Sequence, residues 1–384
     1  MPSTLPESHQ LARDSAREFA EKRLKPLAEQ IEASQSLPPE LFRQMGELGL
    51  LGLAIPEEYG GTGQGFLAAT LAMEELAKAS GAVALSFGAH SCLCAYNLFA
   101  HANEEQRRRY LPGLVSGRDI GAFALTEPGS GSDAASMQTR AVFKDGRYLL
   151  NGTKIFITNG SMARVFLVFA RTERRRGRGA LSAFVVERGF KGFSTGRDIK
   201  KLGTCGSPLT ELIFKDCEVP AQNLLGEEGR GLAYMLKGLD MERSVFSGMA
   251  VGLAQAALDY ALDYAAQRRQ FGAPLTSFQL VQEMLADTAT ELEAARLLTY
   301  QAAEMLDRGQ SVTKQASFAK LYAARMAVRA TQAAVQILGG YGYTRECPVE
   351  RFYRDAMLVG IGGGTSQIQQ LIIARELVKE RARR

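Results

Sequence analysis

Glu242, in Leu239-Asp240-Met241-Glu242-Arg243, and the triple glycine Gly362-Gly363-Gly364 ahead of Thr365-Ser366 are the residues of this 384-residue chain best suited to chemistry. A carboxylate can take a proton from carbon when apolar surroundings raise its pKa toward neutrality. A glycine turn leaves backbone N–H groups bare, so that they can approach and polarise a carbonyl oxygen. A second stretch, Phe123-Ala124-Leu125-Thr126-Glu127-Pro128-Gly129-Ser130-Gly131-Ser132-Asp133, could bring N–H groups and hydroxyls against the edge of a flat ring. Each has an ordinary alternative. A glutamate near a helix start is usually solvated and assists the dipole, and a Gly/Ser-rich turn is usually only a turn. Metal or Cys/His chemistry finds no support. Cys92, Cys94, Cys205, Cys217 and Cys347 are odd in number and scattered, and the first two read as small hydrophobes of an apolar helix. His9, His90 and His101 build no zinc spacing.

Three segments must position these residues. Residues 1–119 read as helices: an amphipathic one at 8–31, one opened by Pro38-Pro39 and running through Leu48, and others at 67–80, 84–100 and 104–116 beyond a loop at 56–63. In 120–230, β-branched and aromatic residues gather in short runs at 139–150, which turns on Asp145-Gly146, and at 165–170, 181–187 and 211–214. This predicts an antiparallel β domain. Residues 231–384 return to long helical runs at 231–269, 276–308, 312–338 and 365–382, broken by Gly272-Ala273-Pro274 and a loop at 339–348, as in a four-helix bundle. The fold class is α+β. Arg171, Arg174, Arg175, Arg176 and Arg178 fall between two strands and read as a solvated loop, with ligand phosphates or an acidic partner protein as the alternative.

Composition sets outer limits. Hydrophobic residues at 46% and charged ones at 23% are ordinary for a globular protein, and a net charge of +5 spread along the chain does not suggest nucleic-acid binding. No apolar run approaches the roughly 20 residues of a membrane span. The opening Met1-Pro2-Ser3-Thr4-Leu5-Pro6 leads into a helix of mixed charge, unlike a signal or transit peptide. The expected location is cytoplasmic, in a bacterium.

The stretch Gly339-Gly340-Tyr341-Gly342-Tyr343, continued by Pro348-Val349-Glu350-Arg351-Phe352-Tyr353-Arg354-Asp355-Ala356 and the triple glycine, resembles the C-terminal signature of the acyl-CoA dehydrogenases. Residues 123–133 resemble that family's other signature, and the resemblance runs over essentially the whole chain. It implies the acyl-CoA dehydrogenase fold, with an N-terminal helical domain, a middle β domain and a C-terminal bundle. It also implies FAD as cofactor, an acyl-CoA substrate and an electron-transferring flavoprotein as acceptor. A homo-oligomer, a tetramer, follows because relatives complete each FAD site across a subunit boundary. Carried over position by position, Phe123, Leu125, Thr126 and Ser132 fall on positions that contact FAD and thioester. Phe156 stands where many relatives pack a tryptophan on the flavin, and Thr158 keeps the hydroxyl they point toward it. Arg268, Phe271 and Gln279 match residues that reach a neighbouring subunit's FAD, with Gln336 and Gly340 as a second such group. An arginine fork can pair with two pyrophosphate oxygens, and Thr365 and Gln367 open a helix whose N-terminus favours phosphate.

The same resemblance implies that an α proton leaves an acyl thioester while the β hydrogen leaves as hydride to the flavin N5. Most relatives carry the catalytic glutamate at the position of Gly363. A minority, the isovaleryl-CoA dehydrogenase branch and the long-chain group, carry it at the position of Glu242. Gly363 retains the backbone N–H that serves the oxyanion, so only the base has moved. Asp240 and Arg243 match positions around the CoA moiety, which places Glu242 at an active-site mouth, and Gly362 and Gly364 join the substrate-binding set. Straight-chain enzymes tend to have a tyrosine at the position of Gly362, so its absence suits a β-methyl branch. Ser244 and Phe246 replace leucines, and Gly363 is smaller than the residue of the isovaleryl enzyme. The expected substrate is a short branched acyl-CoA resembling isovaleryl-CoA. The alternatives are a medium- or long-chain acyl-CoA, an aminoacyl group on a carrier protein, an oxidase using O₂, and an inactive assembly factor.

Overall fold

The computed structural model describes residues 5–172 and 181–382. The N-terminal helices are α1 (Glu7–Phe19), α2 (Lys25–Ser34), α3 (Glu40–Glu47), α4 (Gly65–Ala79), α5 (Gly81–Gly88), α6 (Asn97–His101) and α7 (Glu104–Val115). A π turn at Ala20–Leu24 joins α1 to α2, and another at Ala89–Tyr96 joins α5 to α6, so each pair forms one continuous rod. Local signals set the starts. Ser80 caps α5, and Asn103 and Gln106 form a reciprocal capping box at α7, each satisfying backbone donors that an isolated helix end leaves free. The rod Gly81–His101 and the helix Gly231–Gln267 are both long and apolar enough to cross a membrane, contrary to the expectation from composition. Their apolar windows are 78% and 72% buried inside the protein, which is why they carry so few charges.

The middle segment is an eight-stranded sheet of β1 (Gly121–Ala124), β2 (Arg140–Lys144), β3 (Arg147–Thr158), β4 (Val165–Thr172), β5 (Leu181–Glu187), β6 (Phe193–Thr195), β7 (Leu209–Pro220) and β8 (Leu224–Leu225). The order is β6-β7-β3-β2-β4-β5-β8, with β1 also on β4. The hairpin pivots at Asp145-Gly146 as expected, pairing Lys144 with Arg147. The sheet is not wholly antiparallel: β4 runs parallel to both β1 and β2. Chain direction is invisible to side-chain alternation, so the sequence pattern could not show this. Arg171, at the end of β4, donates to the Met137 and Ala135 carbonyls, whereas Arg174, Arg175, Arg176 and Arg178 lie outside the described residues.

The C-terminal segment holds α8 (Gly231–Gln267), a short ribbon of β9 (Arg269–Gln270) and β10 (Ala273–Pro274), α9 (Gln279–Asp307), α10 (Thr313–Leu338), α11 (Val349–Val359) and α12 (Ser366–Ala382). The short helix α11 falls in a stretch that the long-helix pattern left unassigned. Helices α8, α9 and α10 pack on one another, α11 lies on α8 and α10, and α12 lies on α10. Helix α4 packs against α8 closely because Gly248 and Gly252 face it; a Cβ at Gly248 would meet the Thr70 carbonyl at 2.8 Å. The larger of two apolar clusters among the described residues runs through all three segments, joining Met73 and Phe87 to Phe166, Phe184 and Met249.

Candidate active site

Glu242 lies roughly three turns inside α8, too far from its N-terminus for the dipole to act on it. Its side chain is not at an open mouth either, since the residue is only 6% exposed. One carboxylate oxygen, Oε2, has no hydrogen-bond partner among the described residues. Burial pushes the Glu242 carboxyl above the usual carboxylate range, and the charges of Lys320 and Arg243 pull it partway back. A buried carboxylate with a bare oxygen is poised to bind a proton.

The glycine turn lies directly against it. Gly363 has φ +62°, in the left-handed region, and a Cβ built there would come within 2.5 Å of Glu242 Oε1 and 2.8 Å of Cδ. Glutamate side chains at both 242 and 363 would therefore collide. The three carbonyls of the turn all point to buried donors. Arg243 Nε donates to Gly363 O at 3.2 Å, Lys320 Nζ donates to the Gly362 and Gly364 carbonyls, and Gln369 Nε2 adds a bond to Gly364 O at 2.9 Å. The Gly363 N–H makes no hydrogen bond within the described residues. At Gly362 the nearest atom to a built Cβ is Leu358 Cδ1 at 3.7 Å, so that side of the turn is roomy. Gly364, at φ +96°, completes the turn into α12, where the Thr365 hydroxyl accepts the Ile368 N–H as a cap and Gln367 is exposed.

Arg243 also pairs with Asp240, Nη1 to Oδ1 at 2.9 Å, and Thr313 Oγ1 donates to the second Asp240 oxygen at 2.5 Å. Both Asp240 oxygens are thus engaged, which leaves Glu242 as the free carboxylate of this corner. Cys92, from the π turn Ala89–Tyr96, is near enough for the Glu242 charge to act on it, and burial pushes its thiol up to about 12. Cys92 and Cys94 are buried, as the apolar helix led us to expect.

A second group of the anticipated residues gathers where β1 leaves the sheet. Phe123 is on β1, Leu125 and Thr126 follow it half-buried, and Ser132 is exposed in the turn beyond. Lys154 anchors this segment from β3: Nζ donates to Leu125 O at 3.0 Å and to Glu127 Oε1 at 2.8 Å, while Glu127 accepts the Gln138 and Thr139 N–H groups. Just beyond Lys154 the β3–β7 register slips, and Phe156, inside that bulge, adopts φ +58° and is 56% exposed. Bulges re-aim side chains, and a non-glycine residue at positive φ stores strain that the surroundings must hold. The result is an apolar ring facing outward, with Thr158 two residues on. Gly129 and Gly131 have nothing within 4 Å of a built Cβ, so the neighbouring turn is open. This surface fits a flat cofactor ring.

The third group is elsewhere. Arg268 ends α8, about 39 Å along the helix from Glu242 at 1.5 Å per residue. Arg268 and Gly340 line a pocket of about 440 Å³ with Tyr264, Leu275 and Tyr341, and the Arg268 guanidinium sits over the Tyr341 ring. Phe271, at the ribbon turn, is 96% exposed; Gln279 opens α9 and Gln336 is on the exposed side of α10.

Two residues of the site were missed in the sequence. Lys320 and Gln369 are both fully buried. Lys320 sits in a run of buried alanines and serine, Ala316-Ser317, Ala319 and Ala323-Ala324, and a lone lysine on an apolar helical face is a signal that periodicity could have raised. No comparable signal marks Gln369.

Family comparison agrees with this fold. Residues 6–118, 122–217 and 229–378 match the N-terminal, middle and C-terminal domains of acyl-CoA dehydrogenase. The chain belongs to the acyl-CoA dehydrogenase family, whose members are oxidoreductases. It is 46% identical to an acyl-CoA dehydrogenase of Bacillus subtilis, over 96% of this chain and 97% of that one. It is 45% identical to a mitochondrial isovaleryl-CoA dehydrogenase of Oryza sativa, over 96% and 90%. Among solved structures, butyryl-CoA dehydrogenase from Megasphaera elsdenii superposes with a TM-score of 0.96 at 40% identity, covering 98% of this chain and all of that one.

Proposed function

We propose that this chain is an FAD-dependent dehydrogenase of a short, branched acyl-CoA resembling isovaleryl-CoA, with Glu242 as the base. The observation that carries this reading is the opposition of the buried Glu242 carboxylate to Gly363. The site has one free carboxylate, and the turn facing it has no side chain to obstruct it.

The chemistry asks for a base at the α carbon and a donor at the thioester carbonyl. Glu242 Oε2 takes the α proton as that C–H bond breaks and the α–β double bond forms. The Gly363 N–H, unengaged within the protein, polarises the carbonyl, an effect commonly worth about 3 kcal/mol per donor. Burial keeps water from the carboxylate, and desolvation brings its pKa nearer neutrality. Asp240 and Arg243 hold the CoA side. Phe156 and Thr158, with Phe123, Leu125, Thr126 and Ser132, would hold the ring of FAD, which when bound would supply the acceptor for the β hydrogen and its electron pair. An electron-transferring flavoprotein would be the acceptor for those electrons.

Branch preference rests on Gly362, where the roomy side of the turn leaves space beside the acyl chain, and on the 45% identity to an isovaleryl-CoA dehydrogenase. Oligomer formation is supported by distance. With about 39 Å of α8 between them, Glu242 and Arg268 cannot serve one dinucleotide, so Arg268, Phe271, Gln279, Gln336 and Gly340 would complete the site of a second copy. Helix α12 buries only Gln369 and exposes Leu371, Leu377 and Val378, apolar side chains that such an assembly would cover.

The test is anaerobic bleaching of the flavin by isovaleryl-, isobutyryl-, butyryl-, octanoyl- and palmitoyl-CoA, in wild type and in Gly362→Tyr. Fastest bleaching by isovaleryl-CoA, lost selectively to butyryl-CoA in the variant, is the expected result. Equal loss for both substrates overturns the branch assignment. A yellow protein that no CoA ester bleaches moves the substrate to a carrier-bound thioester.

A further inference from the structure

The geometry points to Lys320 as a positioning residue that clamps the Gly362–Gly364 turn, aims the Gly363 N–H and supplies the counter-charge of Glu242. This rests on the reading of Glu242 as base and goes beyond it, because Lys320 touches neither substrate nor cofactor in that scheme.

Lysine is a costly choice at a fully buried position unless its ammonium is engaged. Here Nζ reaches two carbonyls of one turn, Gly362 O and Gly364 O, that flank the residue whose N–H faces the reaction. Arg243 holds the carbonyl between them at 3.2 Å. With its carbonyls drawn onto two cations, the turn leaves the Gly363 N–H unengaged within the described residues, on the residue whose Cα faces Glu242. A neutral side chain could satisfy a carbonyl but could not also balance a carboxylate. Lys320 does both. Its charge and that of Arg243 act on Glu242, and Glu242 in turn holds up the Lys320 pKa against burial, which lowers it to about 8. The groups bearing on Glu242 are Lys320 from α10, Arg243 from its own helix and the neutral Cys92 thiol from the π turn. Asp240 is neutralised by Arg243 and Thr313.

Removing the ammonium therefore has two separable consequences. The turn loosens, which degrades the oxyanion donor; misplacement of about 1 Å can cost roughly 100-fold in rate. The base also loses an opposing charge, so its pKa rises, by about one pH unit or more for a neighbour of this kind.

Lys320→Met and Lys320→Gln are the variants to make, measured as flavoproteins beside wild type. We expect flavin reduction by the best thioester to slow about 100-fold in Lys320→Met, with thioester binding changed less than about threefold. The acid limb of the rate–pH profile should move to higher pH by about one pH unit in both variants, since both lose the charge. Hydrogen exchange of the Gly362–Thr365 amides should quicken in Lys320→Met and less in Lys320→Gln, which keeps a donor. This readout needs no turnover. An unmoved acid limb with unchanged amide exchange overturns the inference, while wild-type bleaching leaves the family chemistry intact. If neither variant yields folded flavoprotein, Lys320 serves the fold and the inference is equally overturned. If no thioester, whether CoA-borne or carrier-bound, reduces the wild-type flavin, the reading of Glu242 as base fails instead.

Discussion

Replacing Glu242 with glutamine should abolish turnover and leave the protein no less stable, and the same structural fact sets both signs. The carboxylate is buried, one oxygen has no partner among the described residues, and nothing nearby can replace it, because both Asp240 oxygens are held by Arg243 and Thr313. General-base catalysis contributes about 10² to 10⁴ in rate. With water excluded as a substitute, the loss should sit at the upper end, about 10⁴-fold, or roughly 5 kcal/mol of barrier. Stability runs the other way. The folded-state pKa of Glu242 is raised, so the folded protein holds that proton more tightly than the unfolded chain does. Stability from this group is therefore greatest below the unfolded pKa and is lost as pH rises through the interval up to the folded pKa, at about 1.4 kcal/mol for every pH unit that the interval spans. Glutamine does not titrate. Its advantage over wild type should grow across that interval and level off above it, visible as an equal or higher melting temperature at pH 8. Stopped-flow flavin bleaching and thermal unfolding from pH 5 to pH 8 measure the two halves. A variant within tenfold of the wild-type rate, or one that loses several degrees at pH 8, would refute the reasoning.

Two further outcomes follow from other buried groups. Lys154→Met leaves Glu127 as a buried carboxylate with only backbone partners, so stability should fall by about 3 kcal/mol and FAD should be shed on gel filtration; full flavin retention would contradict the anchoring of residues 125–139 by this pair. His90 accepts the Gly121 N–H and bonds Leu114 O, and burial lowers its pKa from 6.5 to about 4, so its contribution is intact above pH 6.5 and is lost as pH falls toward 4, about 3 kcal/mol in all. Denaturant midpoints for wild type and His90→Gln should converge over that interval, and parallel curves would exclude it.

Much of the fold was legible because long helices and hairpins advertise themselves locally. The period of α8, α9 and α10 and the Asp145-Gly146 turn fixed those elements to within a few residues. What escaped notice depends on partners distant in sequence. Parallel pairing of β4 with β1 and β2 is a matter of chain direction, and the eleven-residue α11 was too short to stand out between two glycine-rich loops. At the site, motif matching supplied Glu242, Gly363 and Phe156 by type. It did not show that the Glu242 carboxylate would be buried in the interior of its helix, that Phe156 would sit on a bulge at positive φ, or that Lys320 would reach the glycine turn from α10. Each of these is fixed by packing between segments, which no local pattern encodes.

The π turn at Ala89–Tyr96 has a consequence for how this enzyme can change over time. A π turn accommodates a residue more than the α-helical path needs between the same two ends. Its Cys92 adjoins Glu242, and Ser91, Cys92 and Tyr96 line a small apolar cavity with Leu51, Phe66 and Phe87. Loss of one codon here would let the rod Gly81–His101 close into regular helix while Ser80 still caps one end and Asn103 still starts the next helix. The wall beside Glu242 would be rotated and recut, and the frame around it kept. Single-residue insertions and deletions in this turn are thus a route by which the surroundings of Glu242 can be reshaped without the fold being redesigned.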